Sequence, residues 1–333
     1  MGVQCAQRWF LGLKTCKPQY MSQNSKHLVM DGRAWGMLLT LATLWGGSFF
    51  FFKVMIDGGL PPFLVVLARV GLAAIMLNIW LLVSRDYLPT SLATWRDLAV
   101  MGLINNVLPF SMIVIGEQRI SSGLASILNA TTPIFTIIVA HFLTDTEKLS
   151  KNKILGIIFG FVGVAALVGP DLTQLGGSLG GQVSCLFAAI CYAFAGVFGR
   201  RFRGVPPIKI ATGQITASSL ILIPIVLIFE KPWTLPFPHL QVWIAMVGIA
   251  LFCTVIAYIL FFRILAIAGA TNLALVTFLL PVSALLLGWG FLGEVITLRS
   301  MVGMAMIGLG LAAIDGRPLA WFASKVRVRR AGG

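Results

Sequence analysis

Acidic residues are scarce in this sequence: 11 Asp and Glu stand against 25 Lys and Arg, and charged residues of both signs make up 11% of 333. Soluble domains carry about a quarter charged residues. With 58% hydrophobic residues and a mean hydropathy of +0.93, water is not the solvent for most of this surface. All eleven acids fall in loops or at the ends of apolar runs (Asp31, Asp57, Asp86, Asp97, Glu117, Asp145, Glu147, Asp171, Glu230, Glu294, Asp315). A proton relay normally uses a carboxylate or His inside the membrane, and His141 also sits at the end of a run. Coupling through a midplane acid is therefore not expected. An integral-membrane enzyme is disfavoured by the lack of HExxH and of paired mid-span acids, so no catalytic residue is expected.

Paired cysteines are missing as well. Cys185, Cys191 and Cys253 lie inside apolar runs, and Cys5 and Cys16 form no framework with them. Buried Cys in such runs is small packing material, so no disulfide, metal or cofactor is expected. The net charge of +14 comes without a basic patch beside exposed aromatics, which excludes nucleic acid as the natural partner. Residues 1–33 hold no signal-peptide core, and Ala6 breaks the myristoylation pattern that Gly2 would begin. They read as a basic cytoplasmic tail, or as sequence before a true start at Met21 or Met30.

What is abundant is apolar length. Between charged or Pro/Gly-rich breaks lie ten runs: 34–54, 63–83, 98–116, 121–142, 154–168, 180–199, 210–229, 243–265, 271–292 and 300–314. A membrane crossing needs about 20 apolar residues as a helix, so these predict ten spans. Placing both termini in the cytoplasm puts 20 of the 25 cations on that side, as the positive-inside rule requires. The expectation is a multi-pass protein of the cell membrane with the lipid bilayer around it.

The sequence also repeats. Pro61-Pro62 recurs as Pro206-Pro207, 145 residues on, and Ser121 to Pro133 has the shape of Gly269 to Pro281, 148 residues on. Glu147, Gly156 and Gly163 recur as Glu294, Gly303 and Gly310. A duplicated unit with five spans enters the membrane from opposite sides in its two copies, the inverted arrangement that characterises secondary transporters.

Trp45-Gly46-Gly47-Ser48-Phe49 with Lys53, Pro61-Pro62 before Arg69, and the two Glu/Gly/Gly patterns resemble the EamA branch of the drug/metabolite transporter superfamily across residues 34–314. The resemblance implies an all-α polytopic membrane protein with ten transmembrane helices as two inverted five-helix repeats around a central cavity. It implies carriage of small metabolites, often outward. The expected units are a tail (1–33), a first repeat (34–169), a second repeat (176–314) and a basic C-terminal tail (315–333). The expected function is a secondary transporter, an exporter or exchanger of a small organic metabolite such as an amino acid, working by alternating access. A membrane channel is the alternative, and an integral-membrane enzyme a more distant one.

Polar groups inside spans face the bundle interior, and proline frees the carbonyl four residues before it. Pro109 frees that of Asn105, Pro133 that of Asn129 and Pro281 that of Thr277, each beside a polar side chain. Pro133 and Pro281 hold equivalent places in the two halves, so the faces around Asn129 and Thr277 are the leading candidates for a substrate-binding site. The alternative is a kink whose carbonyl is satisfied locally. Arg69, the one basic residue well inside a span, could bind an anionic solute, or else snorkel to the interface or tie down neighbouring carbonyls. Trp45, Ser48, Tyr192, Gln214, Thr254 and Tyr258 complete the candidate lining. Gly156 and Gly160 make a small-residue face, a scaffold or a homodimer contact.

Overall fold

The computed structural model describes residues 31–143, 151–168, 177–202, 204–273 and 275–315. Most of both basic tails, and Glu147 of the repeated pattern, lie outside the described residues. Helix α1 (Gly32–Asp57) starts where the Asp31 carboxylate accepts from the Ala34 N–H at 2.7 Å, satisfying an otherwise orphaned donor. Helices α2 (Pro62–Val83) and α7 (Pro207–Ile225) each open on proline, whose missing N–H costs nothing in a first turn. The order is completed by α3 (Leu92–Glu117), α4 (Ser122–Leu143), α5 (Lys151–Val168), α6 (Gly177–Phe198), α8 (Leu240–Leu265), α9 (Val276–Leu292) and α10 (Leu298–Asp315). Among the described residues there is no strand.

Seven of these helices, α1 to α4 and α6 to α8, are long and apolar enough to cross a membrane. The segments expected as the fifth, ninth and tenth spans are apolar helices with shorter cores, Lys153–Ala166, Leu279–Leu292 and Leu298–Ala313. The expected ninth run also begins too early. Helix continues from α8 to Leu273 across Gly269, whose φ of 80° departs from helical geometry, and α9 starts only at Val276. Glycine tolerates that positive φ without a Cβ clash.

Two helices contain a wide π turn, Leu103–Val107 in α3 and Leu251–Ile256 in α8, and a third such turn, Val226–Glu230, follows the end of α7 just after Pro224. Helix α4 is broken between Asn129 and Thr132, just before Pro133.

Packing pairs α5 with α10, α1 with α9, α3 with α6, α2 with α7, α4 with α6, α3 with α7, α1 with α8, α4 with α9 and α2 with α8. The main core, from Phe49, Phe52, Val65 and Val66 to Ile249 and Leu285, lies among them. The small-residue face of α5 is covered within the chain: a Cβ on Gly310 would stand 2.6 Å from the Gly156 carbonyl, and one on Gly163 would stand 3.0 Å from that of Gly303. It makes a scaffold contact within the chain.

Candidate functional site

Arg69 of α2 is 6% exposed. Its guanidinium carbon lies 3.9 Å from the centre of the Phe110 ring and 5.3 Å from that of Phe52, so two aromatic faces replace part of its hydration. Its Nε donates to Thr254 Oγ1 at 3.2 Å and its Nη2 to the Cys253 carbonyl at 3.4 Å. Both acceptors belong to the π turn of α8. Thr254 Oγ1 in turn donates to the Ile249 carbonyl at 3.2 Å. Of the two roles open to Arg69, tying down a carbonyl is thus present. Five N–H groups exceed two acceptors, so capacity for a ligand remains.

Polar and aromatic groups extend from this centre. The Tyr192 and Tyr258 phenols are within coulombic reach of Arg69, and the Tyr192 ring stands 6.4 Å from that of Phe110. Gln214 Nε2 donates to Tyr258 Oη at 3.4 Å, and Gln214 Oε1 accepts from Asn105 Nδ2 at 3.2 Å. Asn105 lies in the π turn of α3, just before Pro109. Ser48 sits beside the Cys253 thiol. Trp45 is one step further out: it packs on Phe261 at 5.6 Å, Phe261 meets Phe262, and Phe262 stacks on Tyr258 at 6.0 Å.

The structure therefore gathers Ser48, Arg69, Asn105, Tyr192, Thr254 and Tyr258 with Gln214, and reaches Trp45 through rings. Asn129 and Thr277 lie on helices α4 and α9, which pack together. The carbonyl freed by Pro133 is satisfied locally, accepting from Thr132 Oγ1 at 2.7 Å. The Asn129 side-chain oxygen, by contrast, is buried without a partner. Near Pro281, Ser283 Oγ donates to the Ala42 carbonyl at 2.8 Å and ties α9 to α1.

One residue escaped sequence reasoning. Glu117, placed with the loop and end-of-span acids, is 0% exposed, and both carboxylate oxygens lack a hydrogen-bond partner. The available signal was its neighbour Gly116, where helix α6 approaches until a Cβ would meet the Gly181 carbonyl at 2.9 Å.

Long apolar helices with polar groups gathered in their interior define an α-helical integral membrane protein. The sequence profile of the EamA-like transporter family matches residues 33–169 and 179–314, and the chain belongs to that family. It is 30% identical over 280 residues to "Uncharacterized inner membrane transporter YedA" of Escherichia coli (strain K12), covering 82% of this chain and 87% of that one. It is 25% identical over 276 residues to "Uncharacterized transporter YoaV" of Bacillus subtilis (strain 168), covering 82% and 94%. A solved structure titled "Crystal structure of protein" shares the fold with a TM-score of 0.61 at 19% identity, covering 86% of this chain and 97% of that one. The chain is a transporter by family.

Proposed function

We propose that this transporter is a secondary carrier, an exporter or exchanger, that moves a small carboxylate-bearing metabolite such as an amino acid by alternating access, with the Arg69 group as its binding centre. The observation that carries the reading is a buried guanidinium with donors to spare, held between Phe52 and Phe110 and continued by Tyr258, Gln214 and Asn105. Arg matches a carboxylate bidentately, and the aromatic surroundings suit a small apolar side chain. Asn129, with an unpartnered side-chain oxygen, and Thr277 are proposed as a second lining on the packed pair α4 and α9.

Ten crossings in two inverted units, 34–169 and 176–314, are part of the proposal. Its support is reciprocity. Advancing each helix by five exchanges the pair α1 and α9 with α6 and α4, α3 and α6 with α8 and α1, and α3 and α7 with α8 and α2. The pairs α2 with α7, α4 with α9 and α5 with α10 map onto themselves. Odd-span units related in this way place a site between them that can open to either side in turn.

The test is flux into proteoliposomes of a ¹⁴C-labelled amino-acid mixture, set against the corresponding methyl esters. A charge-assisted contact contributes about 1.5–3 kcal/mol, so esters should move at least about tenfold more slowly. Arg69→Gln should remove most of that discrimination. Flux no greater than in empty liposomes for every probe would overturn the carrier, and equal rates for acids and esters would overturn the role of Arg69.

A further inference from the structure

We propose that Glu117 is a proton-binding site of this carrier, shut in the arrangement described and opening toward the end of the bundle that holds Asp57 and Glu294. Its link to transport rests on the carrier reading above; the site itself does not.

Glu117 ends α3 with no exposed surface and no partner for either carboxylate oxygen. The groups around it are already committed. From α1, Lys53 Nζ lies 3.2 Å from Asp57 Oδ1 and donates to the backbone carbonyl of Glu117 at 3.2 Å, not to its side chain. From the turn after α9, Glu294 accepts from the Ser122 N–H at 2.7 Å, the Ser122 hydroxyl at 2.9 Å and the Gly123 N–H at 3.1 Å, capping the start of α4. Helix α6 contributes the Cys185 thiol, with Arg119 lying further along it beside Gly180. From α2, Arg69 covers Phe110, two turns back along α3.

Among the described residues the neighbourhood thus holds three carboxyl groups, Asp57, Glu117 and Glu294, and one nearby ammonium, Lys53. An ionised carboxylate buried without hydrogen bonds bears a large desolvation penalty, whereas the neutral acid bears only that of a polar group. A proton is the smallest ligand that resolves the conflict, and it needs no further side chain. Solvent reaches the Glu294 side of this neighbourhood: Glu294, with Trp289, Gly293, Val295 and Ile296, lines a surface cavity of about 290 Å³. Separating the turn after α9 from the start of α4, where Glu294 holds Ser122 and Gly123, would wet Glu117 from that side and let its proton leave.

The site is tested by infrared spectroscopy of the whole chain in lipid nanodiscs at pH 7. A neutral carboxylic C=O band is expected and should be lost in Glu117→Gln. Labelling with ¹³C-glutamate, which marks only Glu117, Glu147, Glu230 and Glu294, should shift the band in the unaltered chain, so the test survives a variant that folds badly. Absence of the band, its insensitivity to the label, or its persistence in a folded Glu117→Gln would overturn the proposal. The coupling is tested by flux of the ¹⁴C amino-acid mixture with and without a pH difference of about one unit. A several-fold change in rate is expected, and none in Glu117→Gln. An unaltered chain indifferent to the gradient would overturn the coupling. If no probe moves at all, the carrier reading fails while the infrared band still decides the site.

Discussion

At the scale of the residue, Thr254 controls how Arg69 is held. Its hydroxyl donates a hydrogen bond to the Ile249 carbonyl and accepts one from Arg69 Nε, so one oxygen stabilises both the π turn and the cation. Thr254→Val keeps the shape and removes both bonds. The expected cost is about 1–3 kcal/mol, read as a lowered midpoint of thermal unfolding in detergent, with Thr254→Ser close to the parent. With Arg69 as the proposed binding centre, Thr254→Val also raises KM for carboxylate solutes because the guanidinium loses its fixed orientation. Arg69 itself was legible in the sequence as the lone basic residue deep in a span. Its platform was not, because Phe52 and Phe110 look like any other apolar residues until α1, α2 and α3 are assembled. Glu117 misled for a related reason: the end of a span reads as wet, and only the approach of α6 at Gly116 makes it dry.

At the scale of the element, glycine decides where helices touch. Gly163 and Gly310 bring α5 and α10 together at backbone distance, whereas a Cβ on Gly308 would meet nothing within 4 Å. Gly163→Leu should therefore destabilise by about 1–3 kcal/mol through overpacking, and Gly308→Ala should be neutral or slightly stabilising, both measured by thermal unfolding. Gly156 and Gly160 announced a close contact in the sequence, but not whether its partner was another part of the chain or a second copy. Broken helices were legible in part. Pro133 marked the interruption of α4, yet the wide turn of α8 has no proline to announce it, and the continuation of helix past Gly269 depends on a positive φ that sequence pattern does not report.

At the scale of the whole molecule, carboxylates stitch the two halves at both ends of the bundle. At one end Glu230, after α7, accepts from the Phe63 and Leu64 N–H groups at 2.8 and 2.6 Å and so caps α2. At the other, Lys209 of α7 meets Asp86, after α2, at 2.6 Å. That hydrogen bond holds the Asp86 carboxyl below its ordinary range. A depressed acid stabilises the folded chain above the unfolded carboxylate value of about 3.9 and loses that contribution as pH falls through its own lower value. Asp86→Asn should flatten the acid limb of stability against pH, weakly, because the pair is solvent-exposed.

The Asp86 end is proposed to face the cytoplasm, on the ground of charge: it also carries Arg85, Arg96, Arg200 and Arg201, and cations collect on the cytoplasmic side. Tyr87 and Trp233, 65% and 67% exposed, mark the two ends. In a background with the five cysteines replaced, a membrane-impermeant maleimide applied to intact cells should label Trp233→Cys and spare Tyr87→Cys until the membrane is opened. The reverse pattern would invert the molecule in the membrane and move the proposed Glu117 opening to the cytoplasm. Labelling of both from outside would break the alternation of crossings on which the inverted repeat depends.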